Sequence, residues 1–281
     1  MDNIIQENQT EYLYHYTSVD SLALILKHRT IRLNSLDKMD DLQEQKTSDI
    51  SNFGKFFFVS SWTSDATESI PMWKMYTNPQ SGVRIKLRKN PFKRTPTIGS
   101  DFMDVLEIPP IDEASRNFKQ DTFLNLAEVM KLGVYCAQAW NGDILHEVIY
   151  TNDKALLEPQ VVSSDGDKIG ISFSELGRYK NEHWKFQKEW RYLMSFLPMN
   201  FYESPEKMYK NFNITASKII SGTATLPISY YDLIIDDKFF DEMEITPSPQ
   251  MSAGYRILLD DLIEKYNPNA KISESELLGL L

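Results

Sequence analysis

The sequence predicts an α+β protein, with mixed, mainly antiparallel sheets and flanking helices, in one domain over residues 1–281. Several short segments alternate apolar and polar residues with the two-residue period of a strand, Val83-Arg84-Ile85-Lys86-Leu87-Arg88 most strictly. Others space apolar residues at the helical period, as Val19, Leu22, Ala23 and Leu26 do. No segment repeats at a fixed period, and 281 residues are ample for one sizeable core.

Taken in order, residues 12–16, Tyr-Leu-Tyr-His-Tyr, read as an aromatic strand. Thr17, with Asp20 three residues on, caps a helix that ends near Lys27 to Arg29. Thr30 to Asn34 form the next strand. The acidic run Asp37, Asp40, Asp41, Glu44 lacks the ligand spacing and glycine of a calcium loop, so a solvated loop or helix face is expected. Phe56 to Trp62 form a buried strand by continuous apolar content. Pro71 opens a short helix on which Trp73 and Tyr76, three apart, share one face. After a turn at Asn78 to Gly82, the strand 83–88 carries a basic face. Arg84, Lys86 and Arg88 could form a phosphate stripe for a nucleic-acid or protein acceptor. A solvated sheet edge, guarded by its charges, accounts for them more simply.

From Pro91 to Pro110 the composition turns loop-like. Phe123, Leu126, Ala127, Met130, Val134 and Ala137 then mark a long amphipathic helix, a helical insertion near 111–140. Leu145 to Tyr150 reads as a strand, Asp165-Gly166-Asp167 as a turn, and Ile214 to Ile220 and Ile228 to Ile235 as strands. Tyr255 to Tyr266 reads as a strand end running into a helix. In the tail, 270–281, Ser273 and Glu276 cap a short helix whose leucines, Leu277, Leu278, Leu280 and Leu281, need a partner surface, in this chain or a second copy.

Composition narrows the function. Hydrophobic residues at 42% and charged residues at 25% are ordinary for a soluble globular chain. With 30 Lys+Arg against 40 Asp+Glu the formal charge is −10, so any nucleic-acid contact must be local rather than driven by the bulk field. The single cysteine, Cys136, excludes an internal disulfide and a multi-cysteine metal site, and its neighbours Val134, Tyr135 and Ala137 suggest a buried thiol. No segment approaches about 18 consecutive apolar residues, and the first residues lack a basic region with an apolar run, so a cytoplasmic protein with no membrane contact is expected. Phosphate-binding glycine loops, His-Glu-x-x-His and Gly-x-Ser-x-Gly are all absent.

The stretch from Trp184 to Met194 is the chemical focus. Trp184, Phe186, Trp190, Tyr192 and Met194 fall on one face of a strand, and Glu189 and Arg191 share the other. A carboxylate fixed there could act as an acid, a base or an electrostatic stabiliser. The plainer reading of the segment is an amphipathic strand with Glu189 and Arg191 at the surface.

Three blocks occur in sequence: Tyr14-His15-Tyr16-Thr17 before a helix, Ser60-Ser61-Trp62 followed by Trp73, Tyr76 and Gly82-Val83, and Lys180, Trp184, Glu189, Trp190, Arg191. With the later Lys218-Ile219-Ile220-Ser221-Gly222 they resemble a bacterial domain-of-unknown-function family over about residues 12–236. Gln187 departs from that pattern, where a Glu is common, and so does Met39-Asp40-Asp41, where Asn-Asp-Pro is usual. The layout also resembles ADP-ribosyltransferases of the DarT-like kind. That resemblance implies an ADP-ribosyltransferase-like fold and NAD as substrate, for transfer or glycohydrolysis by a toxin or phage-defence effector. It implies that His15 binds an NAD ribose and that Glu189 holds the ribose 2′-hydroxyl, with Trp73 or Tyr76 packing on nicotinamide. Tyr14, Tyr16, Thr17, Ser60, Ser61 and Arg191 would complete the NAD site, and no metal is implied. On this reading His15 and Glu189 stand on neighbouring strands, on one sheet face, at the floor of one cleft. The alternative is a catalytically silent module that uses the same aromatic cleft to bind a ligand or a protein.

Overall fold

A computed structural model of the chain describes residues 11–99, 119–136, 143–165, 168–198 and 205–281, together with 113, 117 and 138. The chain opens with β1 (Tyr12–Ser18), α1 (Val19–His28) and β2 (Thr30–Ser35). Then come β3 (Phe57–Thr63), α2 (Ile70–Tyr76) and β4 (Gly82–Arg88). Short pieces follow: β5 (Thr95–Ile98), β6 (Lys119–Thr122), α3 (Leu126–Lys131), β7 (Val134–Cys136), β8 (Leu145–Glu147), β9 (Ile149–Thr151) and α4 (Lys154–Leu157). The hairpin β10 (Val162–Asp165) and β11 (Lys168–Ile171) leads through β12 (Tyr179–Asn181) to β13 (Glu189–Pro198). The last part holds α5 (Pro205–Ile220), β14 (Tyr230–Ile234), α6 (Asp237–Asp241), β15 (Glu244–Pro247), α7 (Ala253–Tyr266) and β16 (Lys271–Ile272).

The main sheet has ten strands, in the order β14-β2-β3-β1-β4-β15-β16, with β13 branching from β3 and carrying β7 and β8. All its pairings are antiparallel except β15 with β16, so the α+β class holds. Alternation sorts the side chains to two faces. Leu13, Val83, Ile85, Leu87, Tyr192 and Met194 join α1 and α7 in one apolar cluster, and Val59, Leu193, Phe53 and Phe57 join Leu176 in another. Cys136 is buried in the first.

Several segments differ from the sequence expectation. Ser18, not Thr17, caps α1: the strand runs through Ser18, opposite Gly82 of β4, so the helix starts at Val19 and the Ser18 hydroxyl accepts from the Ser21 amide at 3.2 Å. Residues Glu182–Gln187 form a 3-10 helix rather than strand, and Lys188 turns the chain at φ 44°, so the strand starts only at Glu189. The long helix of the 111–140 region is absent from its described part. α3 stops at Lys131, Gly133 reverses the chain at φ 76°, and Val134–Cys136 pairs with β13 as a strand. The rest of that region, like Gly166 and Asp167 of the expected turn, lies outside the described residues.

Ile214 to Ile220 belong to α5, whose end is followed by Gly222 at φ 72°. Tyr255 to Tyr266 are helical throughout, capped by the Ser252 hydroxyl. The tail forms no helix. After β16 it turns, and the Ser275 hydroxyl (2.7 Å) and Glu276 amide (2.8 Å) both donate to the buried Glu68 carboxylate, which fixes the chain in a non-helical path. Leu278 and Leu280 are left exposed.

β4 is no edge, since β1 and β15 flank it. Its basic face meets acids across the ladder: Lys86 pairs with Glu244 at 3.0 Å and Arg88 with Glu242 at 2.8 Å. Arg84 lies over the Tyr14 ring and donates to the Ala66 carbonyl at 3.0 Å.

Candidate functional site

β3 is paired unequally along its two edges. One edge carries β13 along its full length, from Glu189 opposite Thr63 to Ser195 opposite Phe57. The other edge is shared between two strands. β2 takes Phe58 and Val59, β1 takes Thr63, and Ser60, Ser61 and Trp62 lie between them without a ladder partner on that side. β1 and β2 diverge there, joined by α1. The resulting notch opens into a cavity of about 560 Å³, within the usual range for small-molecule sites.

Leu24, Ile25 and His28 of α1 line the cavity, as do Met39, Asp40, Asp41, Tyr76, Trp184 and Gln187. His15 and Ser61 meet at the notch itself. The Ser61 carbonyl, lacking a strand partner, accepts from His15 Nδ1 at 2.8 Å, while the imidazole packs on Trp62 with ring centroids 5.0 Å apart. A carbonyl can only accept, so Nδ1 carries the proton and Nε2 of the neutral ring is an acceptor. Burial lowers the His15 pKa, partly opposed by the Ser61 bond, which keeps the ring neutral at pH 7.

Glu189 heads a buried charge cluster. Arg191 donates from Nε to Glu189 Oε1 at 2.6 Å and from Nη2 to Oε2 at 3.1 Å, and Lys180 Nζ reaches Oε2 at 2.9 Å. Glu44 lies behind, 2.9 Å from Lys180 and also in contact with Arg191. The two carboxylates and two cations cancel in charge, and all four residues are buried. The Glu44 oxygens sit at charge-pairing distance without hydrogen-bond alignment. Burial by itself would raise the Glu189 carboxyl, and Arg191 and Lys180 overcome that and hold it well below the ordinary carboxylate range. The same carboxylates raise Arg191 against its own burial. Tyr150 accepts from the Glu189 amide at 2.8 Å, and Gln187 donates to the Tyr76 hydroxyl. Burial, reinforced by nearby carboxylates, raises both phenols.

The structure gathers His15, Glu189, Tyr14, Tyr16, Thr17, Ser60, Ser61, Tyr76 and Arg191 around this one cavity. Trp73 is outside it. Its ring packs edge-on against Tyr16, and its indole nitrogen donates to Glu68 at 2.9 Å, so Tyr76 is the aromatic residue of α2 that lines the site. His15 and Glu189 are not on neighbouring strands, since β3 lies between them. Alternation also puts them on opposite faces: His15 goes with Trp62 and Leu13, Glu189 with Tyr14 and Thr63. This overturns the expected shared face, although both residues line the one cavity.

Glu44, expected in a solvated segment, is the member of the acidic run that the fold buries, 3% exposed. Gln187, Asp41 and Trp184 also line the cavity. Gln187 stood out in the sequence only as a departure from the family pattern. Nothing in the sequence distinguishes Glu44 from Asp37 or Asp40.

Fold and cavity together define an α+β protein with a ligand-sized notch in its main sheet. Residues 72–192 match the family described as Protein of unknown function (DUF2971), a stretch that runs from α2 into β13 and holds Tyr76, Gln187, Glu189 and Arg191. No curated protein and no solved structure matches the chain. Among the described residues, no helix is long and apolar enough to cross a membrane, and no group of His, Cys, Asp and Glu could hold a metal ion.

Proposed function

We propose that the cavity binds NAD and that the protein cleaves its nicotinamide–ribose bond, either for ADP-ribosyl transfer or for hydrolysis. One observation supports the reading: His15 and Glu189, although on opposite sheet faces, both line the cavity. The His15 Nε2 acceptor suits a ribose hydroxyl. Departure of nicotinamide leaves an oxocarbenium-like ribose, and a preorganised carboxylate that stays ionised stabilises that charge. Tyr76 supplies a ring beside it. An acceptor, protein or nucleic acid, would have to meet Lys86 and Arg88 already paired with glutamates. Nicotinamide release from NAD by the purified protein tests the reading, with accumulation in time expected; no release and no NAD binding would overturn it.

One observation favours a second reading. Both oxygens of Glu189 already accept from Arg191 or Lys180, as they would in a structural cluster beneath a binding cavity. A protein that binds NAD and releases no nicotinamide would establish that reading instead.

A further inference from the structure

α2 contributes Met72 and Tyr76 to the lining of the cavity, yet it is weakly held. It has seven residues, too few for a helix that is stable by itself, and Trp73 is the side chain it buries, while Ile70 and Met75 face solvent. The Trp73 ring packs edge-on against Tyr16 with centroids 4.9 Å apart, and its indole nitrogen donates to Glu68 Oε2 at 2.9 Å.

Glu68 lies just ahead of α2 and is buried. Two further donors to its carboxylate come from the tail, far along the chain: the Ser275 hydroxyl to Oε2 and the Glu276 amide to Oε1. That part of the tail is rooted in the main sheet, since Lys271–Ile272 pairs with β15 and the Ser273 amide donates to the Ile245 carbonyl at 3.0 Å. A buried carboxylate stripped of two donors is costly, so without the tail Glu68 would turn to water and take its bond to Trp73 with it.

We propose that α2 is a lid on the cavity and that residues 273–276 are the strap that keeps it shut, acting through Glu68 on Trp73. Opening α2 then breaks the bonds of the tail to Glu68 as well as its own, so helix and strap open as one local unit. The open form is the minor one, so the strap governs entry to the cavity far more than affinity for what occupies it. This goes beyond the NAD reading, since it concerns access whatever the ligand.

Hydrogen exchange on the full chain, with mild peroxide oxidation in parallel, tests the strap. Ser275→Ala should speed exchange of the amides of residues 73–76 about fivefold or more, the effect of losing a hydrogen bond to a charged group, with α7 and β13 unchanged. Met72, which lines the cavity, should oxidise several-fold faster, while the already exposed Met75 keeps its rate. Glu68→Gln, which keeps the shape and removes the charge, should release α2 and residues 273–276 together. Leu280→Ala, in the exposed end of the tail, should change neither rate. Unchanged α2 exchange in Ser275→Ala, a rise shared with β13, or an equal rise in Leu280→Ala overturns the proposal.

Discussion

Arg191 Nε donates to Glu189 Oε1 at 2.6 Å from two residues further along the same strand, and the two side chains are 1% and 4% exposed. This short internal pair makes Glu189 a structural residue as well as a candidate for chemistry. Glu189→Gln should therefore lower stability, by about 3 kcal/mol as breaking a buried ion pair does. Nicotinamide release should fall roughly 100-fold or more in the fraction that stays folded. Glu44→Gln breaks the same cluster from behind the cavity. It should match the loss in denaturant melts and lose far less turnover; equal turnover losses would make Glu189 purely structural.

The cluster also sets the acid limit of stability. The folded pKa of Glu189 lies below its unfolded value of 4.5, so the unfolded chain binds more protons between the two. Stability is then full above about pH 4.5 and falls as acid approaches the folded pKa. Denaturant midpoints measured from pH 6 downward should show this slope, and Glu189→Gln should flatten it.

A second window belongs to the histidines. Burial depresses His15 and His146 below the ordinary 6.5, so both fold neutral, and stability is lost as pH drops from 6.5 through their folded pKa values. His15→Gln keeps a donor for the Ser61 carbonyl and removes the titration. The stability slope between pH 6.5 and 5 should become shallower, leaving the part due to His146.

Tyr76 and Trp73, one helical turn apart, should separate by assay. Trp73→Phe deletes the bond to Glu68 and should cost about 1–3 kcal/mol in a thermal melt with little change in ligand affinity. Tyr76→Phe leaves Gln187 without its partner at the cavity wall and should weaken NAD binding while the melt moves less.

Gly82 couples the first strand pairing to the site. A Cβ there would come within 2.6 Å of the Thr77 side chain and 3.0 Å of the Asn78 carbonyl. Gly82→Ala should therefore displace the end of α2 that carries Tyr76, destabilise by about 1–3 kcal/mol and reduce ligand binding together with stability.

Strands marked by aromatic content, a continuous apolar run or strict alternation were legible in the sequence: the stretches at 12–16, 30–34, 56–62 and 83–88 stand within two residues of their predicted ends. The stretch 184–188 was not. Its aromatic spacing suits a strand, but Asn181 accepts from the His183 amide and Lys188 takes a left-handed turn, so capping and backbone geometry override periodicity. The β-branched run at the end of α5 misleads for the related reason that tertiary packing outweighs intrinsic preference. Most of the residues singled out in the sequence line the cavity, Trp73 excepted, but the notch itself could not be foreseen. It arises from how three strands share the edges of β3, a long-range pairing that local sequence does not encode. The burial of Glu44 depends on the same long-range assembly, since its partners Lys180 and Arg191 lie far along the chain.

β1 meets β3 in the single ladder pair Tyr14 with Thr63, whereas β13 is zipped to β3 at every residue from Phe57 to Thr63. The seam between the two blocks of sheet can therefore breathe while the strands on either side remain intact. In deuterated solvent, amides of β3 bonded to β13 should exchange at the rate of global unfolding, and the Thr63 end facing β1 far earlier. A ligand bridging the seam would tie the blocks together and slow that early exchange, so occupancy can be followed by mass without an assay for chemistry.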